Sequence, residues 1–146
     1  MTSKRKIKAL EVMLNVKEHD LNAISQTLQA LYARKAGYER EMHALAQSAK
    51  EEEASCPTEM RSYLIAYLQQ ISQRQAELTR LIEETDAEAL ALQDTLSTAF
   101  AAAKTSEHVL ESAKAQRAQQ QSDKLIAEQN DAALSFAVNR TGRAPL

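Results

Sequence analysis

Residues 57–138 read PTEMRSYLIAYLQQISQRQAELTRLIEETDAEALALQDTLSTAFAAAKTSEHVLESAKAQRAQQQSDKLIAEQNDAALSFAV. After Pro57 the stretch holds no further proline and no glycine, and leucine, isoleucine or alanine returns every three or four positions. That spacing predicts a single helix, on the order of 120 Å long at about 1.5 Å per residue. A small globular domain has no core that such an element could reach along its whole length. A second stretch has to lie alongside it, and the chain ahead of Cys56 carries a matching stripe.

That upstream stripe is Ile7, Leu10, Leu14, Lys17, Leu21, Ile24, Leu28, Leu31, Lys35, Tyr38, Met42, Leu45 and Ala49. Alternating steps of three and four make it a coiled-coil seam. Lys17 and Lys35 interrupt it; their stems can lie on the seam while the ammonium groups reach water. Gly37 is a soft point that the helix tolerates at a cost of roughly 1 kcal/mol relative to alanine. The break falls in Glu51–Glu59, where Cys56 precedes a proline and is turned away from helical geometry, and Pro57 suits a first helical position. Downstream the stripe resumes at Leu64, Leu68, Ile71, Gln75, Leu78 and Ile82, and runs on to Leu110 and Ala113.

The two stripes mirror one another about the Cys56–Pro57 bond, which sets Leu45 against Leu68, Leu31 against Ile82, Leu21 against Leu92, Leu14 against Ala99 and Ile7 against Ser106. Lys35 then falls opposite Leu78, and Lys17 opposite Leu96. The fold expected is therefore all-α: an antiparallel two-helix coiled-coil hairpin with the second helix much longer and protruding beyond the first. It forms one coiled-coil domain over 1–146, with a helix over 5–54, a turn over 55–57, a helix over 57–138 and a tail over 139–146. Residues 1–6 are expected to fray. In this register the first helix runs out near Ser106, and helical sequence continues well beyond it. Leu125, Ile126, Ala132, Ala133 and Phe136 give that overhang an apolar face without an internal partner, the usual mark of a binding helix. Self-association through the same face is the alternative.

The rest of the composition narrows function mainly by exclusion. The chain has 146 residues with two glycines, two prolines, no tryptophan, four tyrosines and two phenylalanines, a profile of long helices. A net charge of −2 predicts neither a general nucleic-acid binder nor an acidic tail. One cysteine, Cys56, excludes an internal disulfide framework and fits a reducing compartment. The basic start is followed by no apolar run, so no secretory signal is expected, and no window is apolar enough for a membrane span. The expectation is a soluble, cytoplasmic protein without direct membrane insertion.

No constellation for chemistry stands out. His19, His43 and His108 are far apart, none is spaced from another ligand as a zinc site requires, and the chain has no glycine-rich phosphate loop. No metal, no cofactor and no enzymatic activity are expected. Tyr63, Tyr67 and Phe100 read as packing residues, and Glu83, Glu84, Asp86 and Glu88 as a solvated helix face. Charge does show order. Lys4, Arg5, Lys6 and Lys8 make the open end basic, with Lys104 expected near them and Lys114 and Arg117 just beyond, whereas Glu51, Glu52, Glu53 and Glu59 make the turn acidic. This suits docking of the open end on an acidic rim. The basic cluster is short and lacks interleaved aromatics, which argues against a nucleic-acid partner.

Three segments together carry a resemblance: Lys4-Arg5-Lys6-Ile7-Lys8-Ala9-Leu10, the Tyr63-Leu64, Leu68, Ile71 start of the second helix, and Lys124-Leu125, Glu128, Asn130-Asp131-Ala132-Ala133. With the two-helix organisation they make the chain resemble the FliJ family of the flagellar export apparatus and the similar YscO group of type III secretion systems. Gln119-Gln120-Gln121 departs from the dense charge of that family's last segment. The resemblance implies a non-enzymatic, stalk-like subunit at the cytoplasmic face of the export apparatus. Such a subunit docks on the hexameric export ATPase, promotes its assembly and activity, and links it to the export gate protein and to export chaperones. A coiled-coil cargo adaptor or chaperone, or a structural coiled-coil oligomer unrelated to secretion, are the alternatives.

Overall fold

The computed structural model describes residues 3–141. Helix α1 spans Lys4–Ser55 and helix α2 spans Arg61–Thr141. They form an all-α helical hairpin, with α2 at 81 residues against 52 for α1. Residues 139–141, expected in the tail, still belong to α2; the tail from 142 onward lies outside the described residues.

The helices end where the sequence denies them a further turn. Pro57 adopts an extended backbone (φ −65°, ψ 148°), and the residue before a proline is kept from helical geometry by steric clash. The reversal is longer than the three residues expected. Thr58–Met60 adds a short 3-10 turn, closed by the Met60 N–H donating to the Pro57 carbonyl at 3.0 Å, before α2 begins.

The described chain divides into two compact units, one formed by His19–Phe100 and the other by the residues up to Glu18 together with those from Ala101. In the first, Leu28, Leu31 and Ala89 form a buried cluster with Leu92 and Leu96 packed against it. Ile71 is buried further along, and Leu78 has no exposed surface at all. Full burial of a leucine contributes about 2 kcal/mol, so this seam is the main source of stability. Charged side chains flank it. Lys35 Nζ lies 2.8 Å from Asp86 and 3.9 Å from Glu39. The Asp86 carboxylate, by hydrogen bond and charge, holds the Lys35 ammonium above its ordinary pKa. The Arg74 guanidinium donates to both oxygens of Glu41, at 2.8 and 3.1 Å, and to Glu77 at 3.0 Å. That fork holds the Glu41 carboxyl below the usual range and the guanidinium above its own. Gln93 donates to the Tyr32 hydroxyl across the two helices.

In the second unit, Ser106, Leu110 and Ala113 of α2 are buried, and Ile7, Leu10, Leu14 and Lys17 of α1 are half-buried. The Lys17 ammonium does not simply reach water: it donates to the Ser106 hydroxyl at 2.6 Å. Lys114 pairs with Glu11 at 3.5 Å.

These contacts correct the pairing inferred from the stripes. Leu31 clusters with Ala89, one heptad beyond Ile82, and Lys17 meets Ser106 instead of Leu96. Lys35 meets Asp86 instead of Leu78. The physical reason lies in the turn: Cys56 to Met60 all take part in the reversal, so the mirror point moves toward α2 by about half a heptad and the apolar pairing by a whole one, while the long side chains of Lys17 and Lys35 reach slightly further, to Ser106 and Asp86. A heptad slip returns each stripe to itself, so the apolar pattern alone does not distinguish the two registers.

Two outcomes follow. With Cys56 replaced by serine, the pair Leu31→Cys and Ala89→Cys should crosslink within one chain through a short bifunctional thiol reagent. Leu31→Cys with Ile82→Cys should crosslink poorly, because one heptad is about 10 Å of helix. Gly37 sits in the interior of α1, where an added Cβ would meet only the end of Arg40, at 3.8 Å. Gly37→Ala should therefore stabilise the chain by about 0.5–1 kcal/mol, read as a higher midpoint of thermal or denaturant unfolding.

Candidate functional site

The unit made by the start of α1 and the far part of α2 carries both groups of residues singled out for binding. At the start, Ser3 acts as an N-cap: its hydroxyl accepts from the Lys6 N–H at 3.1 Å and its carbonyl from the Ile7 N–H at 3.2 Å. α1 thus begins at Lys4, and the basic residues sit on a capped helical turn where fraying was expected. Lys4, Arg5, Lys6 and Lys8 are all exposed, and the first turn holds no acidic residue. Among the described residues, none of the four takes part in an ion pair within the limit that links Lys114 to Glu11. A helix N-terminus carries partial positive charge, so each cation there is disfavoured by about 0.3–1 kcal/mol when unscreened. This local arrangement runs against helix stability and provides a concentrated positive surface.

The neighbours of this cluster differ from those expected. Lys104 pairs with Glu107 at 3.3 Å on its own helix, and the heptad shift takes it away from the first turn of α1. Lys114, expected beyond the cluster, pairs with Glu11 of α1 instead.

On α2 the last residues shielded by packing are Leu110 and Ala113, both buried, followed by Arg117 and Gln120, both half-buried. Every residue from Gln121 to Arg140 is exposed. The overhang therefore starts at about Gln121, and not near Ser106, a direct consequence of the register. Leu125, Ile126, Ala132, Ala133 and Phe136 all lie on it, with Leu125 at 55%, Ile126 at 51% and Phe136 at 69% exposure. Leu134 and Val138, at 64% and 65%, are further exposed apolar residues of the segment.

Two open clefts were not foreseen. One, of about 330 Å³, is lined at the turn by Glu52, Cys56, Met60, Tyr63, Leu64 and Tyr67. The other, of about 390 Å³, is lined by Leu21, Ser25, Gln93, Leu96 and Phe100. Tyr63 and Phe100, read as packing residues, are 70% and 53% exposed. Tyr63, Tyr67 and Phe100 each stand one position away from the half-buried Leu64, Leu68 and Ala99, which turns them off the seam. Glu51, Glu52, Glu53 and Glu59 are exposed around the turn, as the charge order suggested. No group of three or more potential ligands that could hold a metal ion occurs among the described residues, and no helix there is long and apolar enough to cross a membrane.

No family model matches the chain, and no curated protein or solved structure matches it either.

The overhang contributes no buried surface, so its removal should leave the fold intact. A chain ending after Gln121 should melt cooperatively with the midpoint of the full chain. A chain ending after Ser106 loses Leu110 and Ala113 from the seam, and should be less stable by about 2–3 kcal/mol. Circular dichroism melts of the two truncations check this directly, and equal midpoints would place the end of the seam before Leu110.

Proposed function

We propose that this chain is a non-enzymatic connector, and specifically a stalk-like component of a flagellar or related type III protein export apparatus. In this reading it docks its basic start on the hexameric export ATPase, favours assembly and activity of the ring, and links it to the export gate protein and export chaperones. The observation that carries the reading is the cationic first turn: Lys4, Arg5, Lys6 and Lys8 are held in a capped helix without a compensating carboxylate in that turn. A cluster that is locally unfavourable in the free chain is relieved when a partner supplies negative charge. A ring of identical subunits does so with particular effect, since each acidic residue on its rim is repeated around one axis and the potentials add. The resemblance of Lys4–Leu10, of the α2 start and of Lys124–Ala133 to FliJ-family segments supports the identity of that ring.

A second reading, a cargo adaptor or chaperone outside any secretion system, is favoured by the exposed overhang alone. Both readings make the chain act through binding, and a binding protein influences its partner only by preferring one of the partner's states. The ATPase test separates them.

Added to a hexameric export ATPase, the chain should raise hydrolysis and the fraction of assembled rings, and rising salt should weaken both effects. Substituting glutamate at Lys4, Arg5, Lys6 and Lys8 together should abolish the stimulation. Helix content should not fall, because acidic residues suit a helix N-terminus. Stimulation by the quadruple variant equal to that of the unmodified chain would rule out docking through the basic start.

A further inference from the structure

We infer that the cleft at the turn is a docking site for an arginine side chain, carried between apolar neighbours on a segment of a partner protein. This does not rest on docking of the basic start, because the cleft belongs to the His19–Phe100 unit and shares no residue with that surface.

An open cleft exists there because of how the reversal is made. α1 ends at Ser55, Pro57 is extended, and Thr58–Met60 is taken up by the short 3-10 turn. No further turn of α1 is left to cover the start of α2, and Leu64, the first seam residue of that helix, is only half-buried. Met60, Tyr63, Leu64 and Tyr67 recur in steps of three and four, so they share one side of this start. Met60, Tyr63 and Tyr67 are exposed. With Glu52 and Cys56 they line a space of about 330 Å³. That volume stands at the small end of ligand pockets, which suits one long side chain.

The charge around the cleft is unbalanced. Between residues 50 and 67 four carboxylates, Glu51, Glu52, Glu53 and Glu59, stand against two cations, Lys50 and Arg61. Glu52 takes part in none of the ion pairs of the described residues. Glu52 and Glu53 also lie in the last turn of α1, which holds no basic residue. A helix C-terminus carries partial negative charge and carbonyls without an intrahelical donor. Carboxylates are disfavoured at such a place, and a cation there is favoured both by them and by the helix end.

Tyrosine faces and a carboxylate together select the occupant. A cation is attracted to an aromatic face, and Glu52 supplies its counter-charge. A guanidinium meets both demands at once, because it is planar and stacks while its fork of donors fits a carboxylate. The ammonium of lysine is compact and more strongly hydrated. Met60 and Leu64 offer adaptable apolar surface to the residues beside the arginine. An acidic segment is repelled by the four carboxylates, and a purely apolar one would cover Glu52 without compensating it.

Cys56 is the chain's one cysteine and lies in the cleft, so the rate of its alkylation by iodoacetamide reports occupancy. The probe is a short blocked peptide with one arginine flanked by leucines, together with versions carrying lysine, glutamine or glutamate in its place. On the full chain the arginine peptide should slow alkylation saturably. The lysine peptide should act more weakly, and the other two should not act at the same concentration. Tyr63→Ala should raise the half-saturating concentration about threefold, Glu52→Gln about threefold, and the two together about tenfold. Both side chains are exposed, so the melting midpoint should not change. In a Cys56→Ser chain, calorimetric titration should give the same order of peptides. A glutamine peptide that protects as well as the arginine peptide, or protection untouched by Tyr63→Ala, would overturn the proposal. So would equal protection by ethylguanidinium, which makes the cleft a small-cation site, and protection that grows with chain concentration alone, which assigns it to a second copy. Absence of both protection and calorimetric binding with every peptide would overturn it as well.

Discussion

The polar residues on the seam decide more than their energies suggest. A heptad stripe is indifferent to a slip of seven residues, since every apolar position returns to an equivalent one. Lys17, Lys35, Thr85 and Ser106 are not equivalent to leucines. In the observed register the Lys17 ammonium donates to the buried Ser106 hydroxyl, and Lys35 meets Asp86 beside the buried Thr85. In the register one heptad back, the two lysines would face Leu96 and Leu78, and Ser106 would face Ile7. Exposed and half-exposed pairs add little to stability, but leaving a polar seam residue against an apolar one costs its lost hydrogen bond. The apolar seam makes the hairpin stable, and the length of the turn together with the polar seam residues sets its register.

From that choice follows the extent of everything else. The register sets how far along α2 the start of α1 reaches, hence where packing stops and the overhang begins. The slip covers Leu110 and Ala113 and draws Lys114 to Glu11, while it leaves Lys104 with its own helical neighbour Glu107. A contact in the middle of the seam thereby fixes which residues remain available at its end.

The parts of this structure that were legible in the sequence are those governed by local rules. The all-α fold, the reversal at Cys56-Pro57 and the longer second helix came from periodicity and proline sterics. The exposure of Leu125, Ile126 and Phe136 was legible because the first helix runs out before it can reach them. The register was not, because it depends on how many residues the turn consumes, and Thr58–Met60 are helix-compatible residues that gave no sign of joining it. The cap at Ser3 has a local signal too, since a serine directly before a helical run favours an N-cap. The clefts at Tyr63–Tyr67 and Leu21–Phe100 are properties of two helices together, and neither strand of sequence contains them.

The basic start and the overhang belong to one compact unit, the one that joins residues up to Glu18 with those from Ala101. The cluster of Leu28, Leu31 and Ala89 and the fully buried Leu78 belong to the other. This division has a thermodynamic meaning. The start of α1 is held to α2 by half-buried Ile7, Leu10 and Leu14 and by the Glu11–Lys114 pair, against the mutual repulsion of Lys4, Arg5, Lys6 and Lys8. A partner that neutralises those cations removes the repulsion and so tightens the same helix pairing from which the overhang emerges. Linkage requires the converse: whatever stabilises that part of α2 favours the anionic partner at the start of α1. The two surfaces can then report on each other through the pairing they share, which is the property that the proposed connector role needs.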